Sequence, residues 1–479
     1  MSGRFYLTTT LPYVNADPHI GFALELVQAD ILVRYRKSRG DEVFFNTGTD
    51  EHGQKIHEAA KKAGKEPQGY VDEYAAKFRS LKKTLELSDD LRFIRTTDVH
   101  HVAAAQELWR RCEAKGDIEK RTYKGLYCVG DEAFVKESDL VNGKCPNHPT
   151  MELQEIEEEN YFFKLSTYQD ELLKYLGTEE VVLPEWRRQE AINFVQQGLE
   201  DFSISRVKEK MSWGIPVPGD ESQVMYVWFD ALTNYISTLG WPDDAEGLYK
   251  KFWEEGETLQ LAGKDQVRFQ SVMWQAMLMS AGLPTTKRVV YHGFITSGGQ
   301  KMSKSIGNVI DPLSIVQEYG ADALRCFLAR HVHPFEDSDV TMERFKEAYN
   351  ADLANGLGNL VSRVMQLSQT HIPEPVIPSP EVVFENNELA QAILSFDFQT
   401  YMSVVWKHIS DLDQKITLQK PFSVVKTSKE EGVAIIASLV GDVYKLGKML
   451  EPVMPETSEK IIRAVTENKK PETLFPRKE

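Results

Sequence analysis

A chain of 479 residues has room for roughly two to four domains, and 42% hydrophobic with 27% charged residues is the balance of an ordinary globular protein. No apolar run approaches bilayer-spanning length, and a net charge of -16 excludes a broad electrostatic grip on nucleic acid while leaving room for a local basic surface that binds a folded RNA. Four cysteines without a regular framework exclude a disulfide scaffold and point to a reducing compartment. Met1 leads directly into a strand-like pattern with no cationic leader and no apolar signal core, so the expected location is the cytoplasm.

Phe5 to Thr9 alternates as a strand does, and Asp17-Pro18 reads as a helix N-cap followed by a first-turn proline. Phe22, Leu26, Ala29 and Val33 then recur at helical spacing up to Gly40. A second strand, Val43 to Thr47, ends in Gly48-Thr49-Asp50-Glu51-His52-Gly53 before another helix. This alternation predicts an α/β fold with a Rossmann-type doubly wound parallel sheet.

Helical periodicity continues over Gln68–Leu87 and His100–Lys115, then breaks into short strand-like pieces between about Glu119 and Phe163 that read as an insertion. The alternation resumes with strands expected at Val224–Phe229, Leu259–Ala262 and Val289–Phe294, separated by helices over Asp230–Ile236 and Val267–Ala281. From about Asp322 onward strand signals cease. Four amphipathic stretches, Met342–Thr370, Asn387–Ile416, Lys429–Leu450 and Glu456–Val465, predict an appended helical bundle.

Two elements are suited to phosphate. At the first strand-to-helix junction, Pro18-His19-Ile20-Gly21-Phe22 combines a helix N-terminus, a side-chain donor and a glycine that admits a flat base. After the last strand, Gly298-Gly299 leads into Lys301-Met302-Ser303-Lys304-Ser305, which sets two cations on a turn that can close over a polyanion. By itself either element reads as solvated surface. Together they lie where open α/β sheets bind ligands.

On these residues the chain resembles the class I aminoacyl-tRNA synthetases, whose motifs are His-Ile-Gly-His and Lys-Met-Ser-Lys-Ser. Thr10-Leu11-Pro12-Tyr13-Val14-Asn15, Thr49-Asp50-Glu51-His52-Gly53, Trp213-Gly214-Ile215-Pro216, Tyr226-Val227-Trp228-Phe229-Asp230-Ala231 and Gly263-Lys264-Asp265 are similar to the methionine-specific family within that class. The resemblance covers nearly the whole chain. It implies a catalytic domain in two halves, 1–115 and 166–295, around a connective insertion, 116–165, then a stem-contact segment, 296–340, and an anticodon-binding bundle, 341–479.

The implied reaction is attack of the L-methionine carboxylate on the α-phosphate of ATP, followed by transfer of the acyl group to the 3′ end of tRNA(Met). A carboxylate is already ionised at neutral pH and needs no activating base, so positioning and cationic stabilisation carry the catalysis. The resemblance assigns this to His19, Lys301 and Lys304, with Mg²⁺ on the outer phosphates and Gly21, Gly263 and Asp265 at the nucleotide. It assigns the amino-acid pocket to Leu11, Tyr13, Asp50, Trp228, Ala231 and Tyr235. An acidic Asp50 suits the α-ammonium, and the aromatic and aliphatic walls suit an unbranched thioether. Read without the family, Trp228 and Tyr235 are more often core aromatics, and Asp50 reads as a helix cap.

Several departures stand out. Phe22 occupies the place of the first motif's second histidine, which predicts loss of a phosphate contact at about 1 to 3 kcal/mol and a heavier burden on Lys304. Gln266 and Gln270 stand where the family has isoleucine and histidine in the pocket wall. In the insertion, Cys128-x-x-Asp131 and Cys145-x-x-His148 resemble the family's zinc knuckle with Asp131 replacing a cysteine. Two readings stay open there, a bound Zn²⁺ ion or a knuckle that folds without metal. Asn359 and Arg363, four apart on one helical face, correspond to the family's anticodon-contacting pair. No tryptophan stands in the tail where the family stacks one on the anticodon, and Phe475 is the candidate substitute.

Among competing readings, a cysteinyl enzyme would need zinc-ligating cysteine near the first motif, and none precedes Cys112. A non-catalytic RNA-binding paralogue rests on Phe22 and Gln270 and is opposed by His19, Asp50, Lys301 and Lys304. The end of the chain shortly after the bundle leads us to expect a monomer.

Overall fold

The computed structural model describes residues 3–130, 133–135, 140–146, 148–302, 307–376 and 387–479. Its contacts divide into two units, one of Met1–Pro18, Gly40–Ser80 and Asp89–His292, the other of His19–Arg39, Leu81–Ser88 and Gly293–Glu479.

The first unit is built on a six-stranded parallel sheet. Its strands follow the order Leu91–Arg95, Glu42–Thr49, Arg4–Thr9, Glu257–Gly263, Arg288–His292 and Val182–Leu183. Arg4–Thr9 is buried along most of its length, as expected of a central strand covered on both faces. The strand order reverses between Arg4–Thr9 and Glu257–Gly263, and outside such a switch point, at the carboxyl ends, α/β sheets bind ligands.

An antiparallel sheet interrupts this pattern, with Ile118–Cys128 paired to Gln154–Phe163 in continuous register from Ile118↔Phe163 to Tyr127↔Gln154. The expected parallel strand over Val224–Phe229 is not found. Val224 and Met225 end an antiparallel strand, Asp220–Met225, paired with Ser205–Val207, and a helix begins at Val227. A short apolar run has no period that separates strand from buried helix, and here the chain turns at Tyr226.

In the second unit, the helix Ile20–Ser38 is buried on nearly every face. Its Asp30, wholly buried, accepts from Arg325 Nη2 at 2.7 Å, Arg34 Nε at 2.6 Å and the Ser88 amide at 2.6 Å. The Arg325 guanidinium, equally buried, also donates to the carbonyls of Val453, Pro452 and Leu85 at 2.7, 3.0 and 3.1 Å. This pair joins the helix to the segments around Leu85 and Val453.

The bundle is more segmented than expected. The stretch predicted over Asn387–Ile416 divides into Asn387–Leu394 and Phe398–Gln419, broken at Phe396 by a left-handed φ of 63°. A short strand, Ser338–Asp339, also lies where no strand was predicted, pairing with Ile295–Ser297.

Arg325→Met strips Asp30 of a buried counter-charge and leaves three carbonyls without their donor. It should lower the stability of this unit by about 3 to 5 kcal/mol, read as a shifted urea midpoint in circular dichroism.

Candidate functional site

At the carboxyl edge of the parallel sheet, Asp50 follows Glu42–Thr49 and lies beside the segment that follows Arg4–Thr9. The Asp50 amide donates to the Pro12 carbonyl at 3.0 Å, and the Val14 amide donates back to the Asp50 carbonyl at 3.3 Å. This pairing brings Leu11 and Tyr13 next to an aspartate that is itself only 2% exposed. Trp228 lies in the helix Val227–Leu232, half-buried, stacked on Phe269 at 3.9 Å and 12° and edge-on to Tyr13 at 6.2 Å. Its indole N–H is buried without a hydrogen-bond partner.

Ala231, in the same helix, and Leu11 are buried, as is Tyr235, whose hydroxyl receives Gln270 Nε2 at 2.6 Å. Gln270 is wholly buried and thus holds the tyrosine rather than leaving a gap. Gly263 closes its strand, and beyond it Asp265 is exposed and accepts from Gln266 Nε2 at 3.0 Å. The structure brings Tyr13, Asp50 and Trp228 together through pairing and ring contact.

The second unit carries the residues expected from the sequence to meet phosphate. The N-cap of Ile20–Ser38 is His19 rather than Asp17, which pairs instead with Lys77 at 2.8 Å. His19 Nδ1 accepts from the Gly21 amide at 3.1 Å, so the ring proton of the neutral imidazole sits on Nε2. Burial, with Lys301 adding to it, lowers the His19 pKa to about 4. The ring is therefore a neutral Nε2–H donor at physiological pH.

The helix start does not offer the bare amides expected of it. The Ile20 amide donates to the Ile310 carbonyl at 3.0 Å, that of Gly21 to His19 Nδ1, and that of Phe22 to the His19 carbonyl at 3.0 Å. The imidazole and the helix dipole remain to meet an anion. Any side chain at position 21 would strike the ring, since a Cβ there falls 2.8 Å from His19 Cε1. Phe22 stacks on the imidazole at 4.4 Å and 28° and so covers one face of it.

Lys301 ends a two-residue hairpin in which Gly298 and Gly299 adopt left-handed φ values of 63° and 72°. The Asp339 carboxylate accepts from the Gly299 amide at 2.7 Å and from Thr296 Oγ1 at 3.0 Å, pinning the turn. Lys301 itself is exposed. Lys304 lies outside the described residues.

In the insertion, donor atoms of Cys128, Cys145 and His148 lie within 4.8 Å of one another. A Cβ on Gly130 would fall 2.3 Å from the His148 ring, so the knuckle closes only around glycine. Asp131 lies outside the described residues. In the bundle, Asn359 and Arg363 are exposed on Asn359–His371, and Arg363 is ion-paired to Asp413. Phe475 is 7% exposed, edge-on to Tyr349, and offers no open face for a base to stack on.

A family model for class I tRNA synthetases (M) matches residues 5–153 and 149–365. The methionine–tRNA ligase of Thermotoga maritima is 41% identical, over 98% of this chain and 76% of its own length. The chain belongs to the methionine–tRNA ligase family. The family member of a Nostoc species is likewise 41% identical, over 95% of this chain and 89% of its own. The solved Mycobacterium tuberculosis methionyl-tRNA synthetase in complex with methionyl-adenylate is similar with a TM-score of 0.89 and 35% identity, covering 100% of this chain and 99% of that one.

Some polar residues inside the family's motifs receive no role from the sequence. Glu51, wholly buried, takes both arms of Arg95 at 2.7 and 2.8 Å and hydroxyls of Thr49 and Thr97 at 2.6 Å each. Asp230 accepts from two histidines. Apart from Thr49, their partners are distant in sequence, and no local spacing announces them.

Because Nδ1 of His19 caps the helix while Nε2 carries the ring proton, the two nitrogens are separable by mutation. His19→Asn keeps an N-cap acceptor but lacks the distal donor. We expect thermal unfolding within a few degrees of wild type and adenylate formation reduced about 10²- to 10³-fold, measured by ATP–pyrophosphate exchange.

Proposed function

We infer that this chain is a methionine–tRNA ligase. It activates L-methionine with ATP to methionyl-adenylate and pyrophosphate and then transfers the methionyl group to the 3′ end of tRNA(Met). The observation that carries this is the match along the whole chain to a solved methionyl-adenylate complex, together with curated ligases about 40% identical over nearly its full length.

Within that reaction we assign the α-ammonium of methionine to Asp50, and its side chain to Leu11, Tyr13, Trp228, Ala231 and Tyr235. A buried carboxylate beside two aromatic rings suits a ligand with one cationic end and one apolar end. His19 Nε2–H, Lys301 and Lys304 stabilise charge on the phosphates as pyrophosphate leaves, and Gly21, Gly263 and Asp265 serve the nucleotide. Asn359 and Arg363 meet the anticodon, where Arg363 exchanges Asp413 for RNA. An exposed ion pair of this kind is cheap to open.

Among the described residues, the one cluster of three or more potential metal ligands is the thiol–imidazole set of the insertion. That set does not suit Mg²⁺, a hard cation that prefers oxygen. Mg²⁺ therefore comes with the phosphates of ATP, as part of the substrate. The same set does suit Zn²⁺, which Cys128, Cys145 and His148 would hold as a structural crosslink of the knuckle, with Asp131 as the sequence's fourth donor. No helix among the described residues is long and apolar enough to cross a membrane. We place the enzyme in the cytoplasm, acting as a monomer.

ATP–pyrophosphate exchange run over all twenty amino acids should respond to methionine above every other. Lys304→Ala should lose at least about 10²-fold in exchange while methionine still protects the protein thermally; loss of both in a folded variant would remove the assigned role. Elemental analysis of the purified protein should find about one zinc per chain, falling to a trace in Cys145→Ser.

A further inference from the structure

Asp230, like Glu51, is a deeply buried carboxylate of the first unit that the reaction itself does not use. It is fully buried, yet both its oxygens are engaged, Oδ2 by His52 Nδ1 at 2.6 Å and Oδ1 by His101 Nε2 at 2.8 Å. His101 is buried too, and its other nitrogen meets Ser237 Oγ at 2.9 Å. Burial pushes the Asp230 carboxyl up, but His52 and His101 outweigh it and hold it below the usual carboxylate range. An ionised Asp230 fixes both tautomers: His52 carries its proton on Nδ1, and His101 carries its own on Nε2 and accepts from Ser237.

The placement matters more than the network. His52 lies two residues after Asp50, and its backbone neighbour Glu51 offers its carbonyl to Trp213 Nε1 at 2.6 Å while the His52 ring packs on the same indole at 5.4 Å. Asp230 sits in the helix Val227–Leu232 between Trp228 and Ala231. His101 belongs to the separate helix Val99–Lys115. One carboxylate thus ties the turn bearing the ammonium acceptor to the helix bearing the side-chain wall, and braces both against a third element.

We propose that Asp230 is a positioning residue of the methionine pocket, holding Asp50 and Trp228 at a fixed separation through His52 and His101. This rests on the assignment of that pocket made above. A pocket for a small zwitterion tolerates little slack, and displacement by about 1 Å can cost on the order of 10²-fold.

Asparagine is the informative replacement. Its amide oxygen serves one histidine, and its NH₂ faces the other, where His101 can present a bare Nε2 by moving its proton to Nδ1 with Ser237 Oγ as acceptor. Asp230→Ala has no such remedy, and Ser237→Ala removes the remedy from Asp230→Asn.

The test measures KM for methionine and for ATP by pyrophosphate exchange in D230A, D230N, the D230N/S237A double variant and D50N, with thermal unfolding alongside. Expected is a methionine KM raised about 10- to 100-fold in D230A and in the double variant, with D230N within about fivefold of wild type and ATP KM within about twofold throughout. Should D230A fail to fold, D230N and the double variant decide the question. A methionine KM that stays at the wild-type value, that rises only in step with ATP KM, or that is no better in D230N than in the double variant overturns the proposal. If D50N raises methionine KM while the Asp230 variants do not, only this inference falls. If D50N also leaves it unmoved, the pocket assignment falls and this inference with it.

Discussion

The first unit depends on the pairing of Arg4–Thr9 between Glu42–Thr49 on one side and Glu257–Gly263 on the other. A parallel sheet sends every strand out at one edge, and the chain leaves this central pair in opposite lateral directions. Leu11 and Tyr13 emerge beside the gap so created, with Asp50 at the end of the neighbouring strand Glu42–Thr49. The register Phe5↔Val43 and Phe5↔Glu257 sets which residues come out level with one another. A slip of one residue would turn every side chain to the opposite face.

Polar groups are then buried around this edge in a definite order. Glu51 is saturated by Arg95 and hydroxyls, and Asp230 by histidines, so the two acidic residues nearest the motifs are already committed. Unpaired, each would be costly in so dry a setting. The second unit repeats the device with Asp30 and Arg325, a buried pair that ties the helix Ile20–Ser38 to the segments around Leu85 and Val453.

Much of this was legible in the residues. The strands at Arg4–Thr9, Glu42–Thr49 and Glu257–Gly263 follow from alternation and apolar runs, and the motifs around His19 and Lys301 point to nucleotide chemistry. Val182–Leu183 was not legible, because two residues carry no period. The run Val224–Phe229 misleads because Tyr226 to Phe229 is apolar in either conformation. Asp17 looked like the cap through composition, whereas the cap at His19 is fixed by a ring that reaches the Gly21 amide. The Asp230 network draws on positions 52, 101, 230 and 237, which only the folded chain assembles.

The stack of Phe22 on His19 alters what the first motif means in this chain. A second histidine would add a polar contact of its own, while the phenyl ring shields the first from water on one side. Since Nδ1 accepts from the Gly21 amide, the imidazole cannot swing away without depriving that amide of its acceptor. The direction of the Nε2–H is thus stored in backbone hydrogen bonding before any substrate arrives. The motif gives up a donor and gains a ring held in one direction, which lowers the cost of reorganising it around an anion.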